Sequence, residues 1–150
     1  MEEHIVYRKL KTEDLPYLKA LIHVYEEVFE MESFPLPGED YLRALLQRDG
    51  LIFLVGILEE KVVGGLTAHV LPSVYDETAE IYIYDLAVRP VYQRRGIGRQ
   101  LLSALSDYGK AQRYREIFVQ ADLVDQHALD FYQATGGQAE SVVHFTYSLV

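Results

Sequence analysis

Apolar side chains recur along this chain at two spacings, every second residue and every third to fourth, and the switches between them mark its elements. Residues 4–10 set Ile5 and Tyr7 between polar neighbours, which predicts a first strand. Thr12 is placed to cap a helix whose first turn holds Glu13 and Asp14. Leu15, Leu18, Ile22, Tyr25 and Phe29 then return at helical spacing. The proline-broken run 33–38 predicts a loop, and 39–47 a second, short helix. Residues 51–58 read as a buried strand, with 62–70 returning as its hairpin partner after the turn 59–61. A strand over 78–88 leads through the turn 89–92 into a long helix over 97–112. A strand over 116–121, a helix over 126–135 and a last strand over 140–149 complete the chain. The order β-α-α-β-β-β-α-β-α-β combines adjacent strands with helical crossovers, which implies a mixed sheet in an α/β layer arrangement. No repeat, low-complexity tract or linker interrupts it, so one domain over residues 1–150 is expected.

Composition narrows the chemistry. Hydrophobic residues make up 49% and charged residues 25%, as in an ordinary globular protein. No cysteine is present, which removes disulfides, thiolate metal sites and a cysteine nucleophile. No apolar run approaches a membrane span and no signal-peptide pattern opens the chain, so a cytoplasmic location and no membrane partner are expected. The formal net charge of −9, from 23 acidic and 14 basic side chains, opposes a nucleic-acid partner. It suits a cationic small-molecule substrate drawn in by long-range attraction.

The densest chemical signal is the run Gln93-Arg94-Arg95-Gly96-Ile97-Gly98-Arg99-Gln100-Leu101-Leu102, set between the strand ending in Asp85-Leu86-Ala87-Val88 and the long helix. Two glycines where a strand hands over to a helix let backbone N–H groups gather around an anion. The helix dipole and three arginines add positive charge there, which makes a site for a diphosphate. Leu101 stands where a dinucleotide fingerprint needs its third glycine, and no Gly-Lys-Ser/Thr follows as in an NTPase loop. Strand, Q-x-x-G-x-G and helix together resemble the acetyl-CoA site of the GCN5-related N-acetyltransferase (GNAT) superfamily. That resemblance implies a mostly antiparallel sheet splayed in the middle and flanked by helices. It also implies that Leu86, Ala87 and Val88 hydrogen-bond the pantetheine arm, with the Val88 N–H facing the thioester carbonyl. Arg94, Arg95, Gly96, Ile97, Gly98 and Arg99 would wrap the pyrophosphate of acetyl-CoA, the cosubstrate, and no metal is called for. A homodimer paired through the last strand is common in the superfamily.

A second signature, residues 125–137, resembles the family's N-x-x-A-x-x-F-Y-x-x-x-G-F, with Asp125 in place of the asparagine and Gly137 in place of the last aromatic. It implies that Tyr132 is the proton donor to the departing thiolate and that Asp125 stands near CoA. Acids gather where an acceptor amine belongs: Glu80 and Asp85 on the strand before the loop, Asp122 after the next strand, and Asp125. Several carboxylates around one cleft suit a polycation. The stretches Ala79-Glu80-Ile81-Tyr82-Ile83-Tyr84-Asp85-Leu86-Ala87-Val88 and Val119-Gln120-Ala121-Asp122, with Asp40-Tyr41-Leu42 and His144-Phe145, resemble the type I aminoglycoside 3-N-acetyltransferases. The implied reaction, a route to antibiotic resistance, moves acetyl to the 3-amino group of a 2-deoxystreptamine ring, as in gentamicin. It proceeds by direct attack in a ternary complex, there being no cysteine to carry the acyl group. Asp85, or Asp122 through a water, is the candidate base; Glu80, Tyr84, Asp85, Asp122 and Asp125 are the candidate acceptor-binding set. Asp85 is expected to share its strand face with Ile81 and Ile83, where partial burial would raise its pKa. His144 is a further conceivable base. Acetylation of another small amine such as a polyamine, and a CoA-binding sensor without turnover, are the alternatives.

Overall fold

The structure, a computed structural model, describes residues 4–150. They fall into two compact units, one ending at Gln120 and the other Ala121–Val150. The first contains β1 (Val6–Lys9), α1 (Leu15–Val28), α2 (Glu39–Gln47), β2 (Leu51–Leu58), β3 (Lys61–Pro72), β4 (Ala79–Val88), α3 (Ile97–Ala111) and β5 (Glu116–Val119). The second contains α4 (Gln126–Ala134).

The five strands lie in the order β1-β2-β3-β4-β5, with every ladder antiparallel except β4–β5, which is parallel. The mixed α/β sheet read from the sequence is therefore present. Alternate residues of β2 point to opposite faces. Phe53, Val55 and Ile57 pack with Leu18, Leu21 and Val24 of α1 and Leu42 of α2. Ile52 and Leu54 pack instead with Ile97, Leu101 and Leu105 of α3. The sheet is thus sandwiched between α1/α2 and α3. Helix α1 approaches closely because β3 carries Gly65 beneath it: a Cβ there would stand 2.5 Å from Leu21 Cδ1 and 2.6 Å from the Leu54 carbonyl oxygen.

Three local expectations are corrected. Thr12 does not cap α1, which starts three residues later with Asp14 at its N-cap position. The buried Asp14 carboxylate accepts from the Lys11 N–H at 2.7 Å and pairs with Arg8 at 2.6 Å, so the chain makes a tight turn before the helix. Second, Asp85 does not share a face with Ile81 and Ile83. Thr67 pairs with Asp85 but Ala68 pairs with Ile83, which leaves Tyr84 as a bulged residue. One extra residue inverts the alternation. Ile81 and Ile83 lie in the α3-side core, yet beyond the bulge it is Leu86 and Val88 that pack there, while Ala87 joins the α1 side. Asp85, in phase with Ala87, turns toward α1.

Third, 140–149 is not a strand: residues 137–150 have no helix or strand. Val143, Phe145, Tyr147 and Leu149 keep the alternation of a strand, but Phe145 and Tyr147 are 77% and 87% exposed. Alternation supplies a face to bury only where a ladder partner takes up the backbone polar groups, and no ladder reaches this segment.

Candidate functional site

The glycine loop is built by the ends of two well-anchored elements. The Arg89 N–H donates to Val63 O at 2.9 Å, and Gln93 Nε2 donates to Val88 O at 2.9 Å, which fastens the loop back onto β4. A short 3₁₀ turn over Pro90–Tyr92 follows. Arg94 and Gly96 both take positive φ, 64° and 82°. For a glycine that conformation carries no steric penalty, so Gly96 serves as the N-cap residue of α3. Ile97, Leu101 and Leu105 fix the helix to the sheet, none more than 2% exposed. The Ile97 side chain is thus core, and only its backbone is left for a ligand. No side chain caps α3, so its first-turn N–H groups open outward at the positive end of the dipole. Arg94, Arg95 and Arg99 are exposed around it, with the Arg95 guanidinium 5.4 Å from the Tyr92 ring centroid. The arrangement suits a phosphate group.

Beside this loop the sheet splays. The β4–β5 ladder runs from Glu80↔Glu116 to Ile83↔Val119 and stops. Among the described residues the rest of β4, with Leu86, Ala87 and Val88, pairs with β3 on one side only. An extended arm laid along the open side would find the backbone groups a neighbouring strand would otherwise take.

On the face of the sheet away from α3, the same half of β4 presents Asp85. The carboxyl is half-buried, and that burial raises its pKa from the ordinary carboxylate value. Among the described residues it has no hydrogen-bond or ion-pair partner, unlike several other acids of this unit. Asp14 pairs with Arg8, Glu27 with Arg89 at 2.9 Å and Glu39 with Lys19. Glu80 accepts from Arg115 at 2.9 Å, and the same guanidinium reaches Asp76 at 3.4 Å, so two carboxylates share one cation. Tyr84, 64% exposed, packs edge-on against His69 and Tyr82, whose ring stacks on Phe118 at 4.8 Å. The Tyr82 hydroxyl donates to Gln120 Oε1 at 3.0 Å. Asp85 therefore sits at the end of an aromatic row, a surface that suits the apolar faces and ammonium groups of an amino sugar.

The remaining candidates lie in the second unit. Asp125 caps α4, its Oδ1 accepting from the Ala128 N–H at 3.1 Å. Asp122 is exposed in the turn before it, and its carbonyl accepts from the Asp125 N–H. Tyr132 is partly buried on α4, edge-on to Phe131 at 5.2 Å. His144 is exposed in the segment after it. Two residues that the sequence reading took no account of stand next to Asp85: Thr67, across the ladder, and Tyr25, whose hydroxyl lies 2.8 Å from Thr67 Oγ1. Tyr25 read as an ordinary core position of its helix, and only the bulge brings Asp85 to its side. Among the described residues no group of histidine and carboxylate side chains could hold a metal ion, and no helix is long and apolar enough to cross a membrane.

Comparison with known proteins agrees with this geometry. Among solved structures, the chain is similar to the aminoglycoside acetyltransferase meta-AAC0020 from an uncultured soil metagenomic sample. In its complex with sisomicin that protein is 43% identical, with 97% of each chain covered and a TM-score of 0.95. A second aminoglycoside acetyltransferase, HMB0005, also from an uncultured soil metagenomic sample, is 34% identical; 98% of this chain and 99% of that one are covered, with a TM-score of 0.92. The uncharacterized N-acetyltransferase YhfO of Bacillus subtilis (strain 168) is 24% identical over 139 residues, 92% of this chain and 93% of that protein. The model of the acetyltransferase (GNAT) family matches residues 18–136, which takes in the glycine loop, the open edge of β4 and Asp85. With most of its length matched, the chain belongs to the acetyltransferase (GNAT) family.

Proposed function

We propose that the protein is an acetyl-CoA-dependent N-acetyltransferase that acetylates the 3-amino group of 2-deoxystreptamine aminoglycosides, by direct attack within a ternary complex. The observation that carries this reading is Asp85: a half-buried carboxyl with a raised pKa and no partner among the described residues, at the point where β4 leaves β5. The similarity to an aminoglycoside acetyltransferase in complex with sisomicin supports the acceptor class. Acidic composition supports it too, since 23 carboxylates face a substrate that is a polycation.

Each residue then has a task. The first-turn N–H groups of α3, with Arg94, Arg95 and Arg99, hold the pyrophosphate of acetyl-CoA, while Leu86, Ala87 and Val88 line its pantetheine arm. The Val88 N–H stabilises the negative charge that gathers on the thioester oxygen. Asp85 removes a proton from the acceptor ammonium, and the freed nitrogen pair forms the C–N bond as the C–S bond breaks. Tyr132, by its place in the family motif, gives a proton to the thiolate, and its phenolate recovers one from the second proton shed by the new amide nitrogen. Tyr82 and Tyr84 support the sugar rings, and Glu80, Asp122 and Asp125 balance further ammonium groups.

The test is acetyl-CoA-dependent thiol release by the purified protein with sisomicin, gentamicin, spermidine and a peptide in parallel, followed by NMR of the product. Release with the two drugs alone and acetyl on N3 is the expected result. Acetyl on another amine would retain the enzyme and correct the position. Release with spermidine alone would replace the acceptor class. CoA binding without release in any arm would leave a sensor.

A further inference from the structure

Tyr25 is set on the inner face of α1, with its ring stacked on Phe29 at 5.6 Å. Burial, reinforced by the neighbouring Asp85 charge, holds its pKa far above the ordinary tyrosine value, so it stays a protonated donor at any working pH. Its hydroxyl is 2.8 Å from Thr67 Oγ1, and Thr67 stands opposite Asp85 in the β3–β4 ladder. Directly opposed residues bring their Cβ atoms to about 5 Å. Three side chains therefore run in a line from α1 through β3 to β4. A threonine hydroxyl has one proton to give and two lone pairs to offer. A buried tyrosine with a single partner must give its proton to that partner; the proton of Thr67 is then committed elsewhere. The acceptor across the strand, without a partner of its own among the described residues, is Asp85.

We infer that Tyr25 and Thr67 are positioning residues for Asp85: Tyr25 donates to Thr67 and so fixes the threonine hydroxyl with its proton turned to the Asp85 carboxylate. The inference rests on reading Asp85 as the base. Thr67 and Asp85 are not hydrogen-bonded in the structure; the bond, formed as the carboxylate turns to meet the acceptor, would do two things. It selects the carboxylate orientation that meets the incoming ammonium, and it favours the ionised form, offsetting part of what burial does. Other ionisable groups on or beside this face are His69 of β3, Tyr82, Tyr84 and the Arg115-paired Glu80 of β4, and the Glu27–Arg89 pair at the end of α1.

The experiment measures kcat and KM for sisomicin across pH in Thr67→Val, Thr67→Ser, Tyr25→Phe, the double variant Tyr25→Phe/Thr67→Val, and Asp85→Asn. Thr67→Val should lower kcat at neutral pH by about tenfold and move the acidic limb to higher pH, because a donor to the carboxylate is gone. KM for acetyl-CoA should stay within twofold. Thr67→Ser keeps the hydroxyl and should restore both kcat and the limb. Tyr25→Phe should shift the limb the same way, and the double variant should be no worse than Thr67→Val alone, since the two act as one unit. A limb that stays in place in Thr67→Val, or a failure of Thr67→Ser to restore it, overturns the positioning role. If Asp85→Asn removes the limb while Thr67→Val leaves it, only the positioning role falls. If Asp85→Asn leaves the limb unchanged, the base reading falls and takes the positioning role with it.

Discussion

Asp85 is held in conflict, and its two consequences have opposite signs. As the proposed base it must be ionised, so turnover should fall as pH drops through its raised pKa. Asp85→Asn should cut kcat by about two orders of magnitude at neutral pH, in steady-state assays with sisomicin. Stability runs the other way. A carboxyl with a raised folded-state pKa contributes stability below its unfolded pKa and loses it as pH rises through the folded value. Ionised Asp85 therefore weighs against the fold at neutral pH, and Asp85→Asn should raise the Tm at pH 7 while leaving it unchanged in strong acid. Calorimetry at both pH values checks this. A variant that loses activity and Tm together would mean that the carboxylate has a structural partner.

Elements show why some of this was legible in the sequence and some was not. The glycine loop could be read because its signals are local: Gly96 and Gly98 at a strand–helix junction, then Leu101 and Leu105 one turn apart on the buried face. The face of Asp85 could not, because nothing in Tyr82-Ile83-Tyr84-Asp85 announces which residue will be left out of register with β3. The strand expected over 140–149 failed for a related reason, since alternation specifies a face and pairing is decided elsewhere in the chain. Thr12 lost the cap because Arg8 and the Lys11 N–H recruited Asp14 into a turn first. Where packing is a matter of close approach, the outcome is again calculable. Gly65→Val should destabilise the protein by roughly 3 kcal/mol in urea unfolding, because a backbone oxygen stands 2.6 Å from the new Cβ and cannot move aside. Gly98→Leu, in the glycine loop itself, should abolish CoA binding in calorimetric titration.

Across the whole molecule the charges of the two proposed reactants are opposite in sign. A net charge of −9 attracts an aminoglycoside and repels CoA, whose phosphates, on the proposed function, would be met by the arginines of a single loop. Raising ionic strength from about 0.02 to 0.5 M shortens the screening length from above 20 Å to a few ångströms. It should lower kcat/KM for sisomicin several-fold, while kcat/KM for acetyl-CoA falls less or rises; parallel losses for both would place the effect on the fold instead. The bulge at Tyr84 bears on how such a chain can change over time. Every side chain on the aromatic row is open to replacement, but the orientation of the carboxylate is held by a count of residues. A residue inserted between Thr67 and Ala68 would give Tyr84 a partner in the ladder and return Asp85 to the phase of Ile81 and Ile83, aimed into the packing of α3. On the proposed function, new acceptors are therefore reached by substitution along β4, and one residue gained on β3 opposite the bulge would end the chemistry.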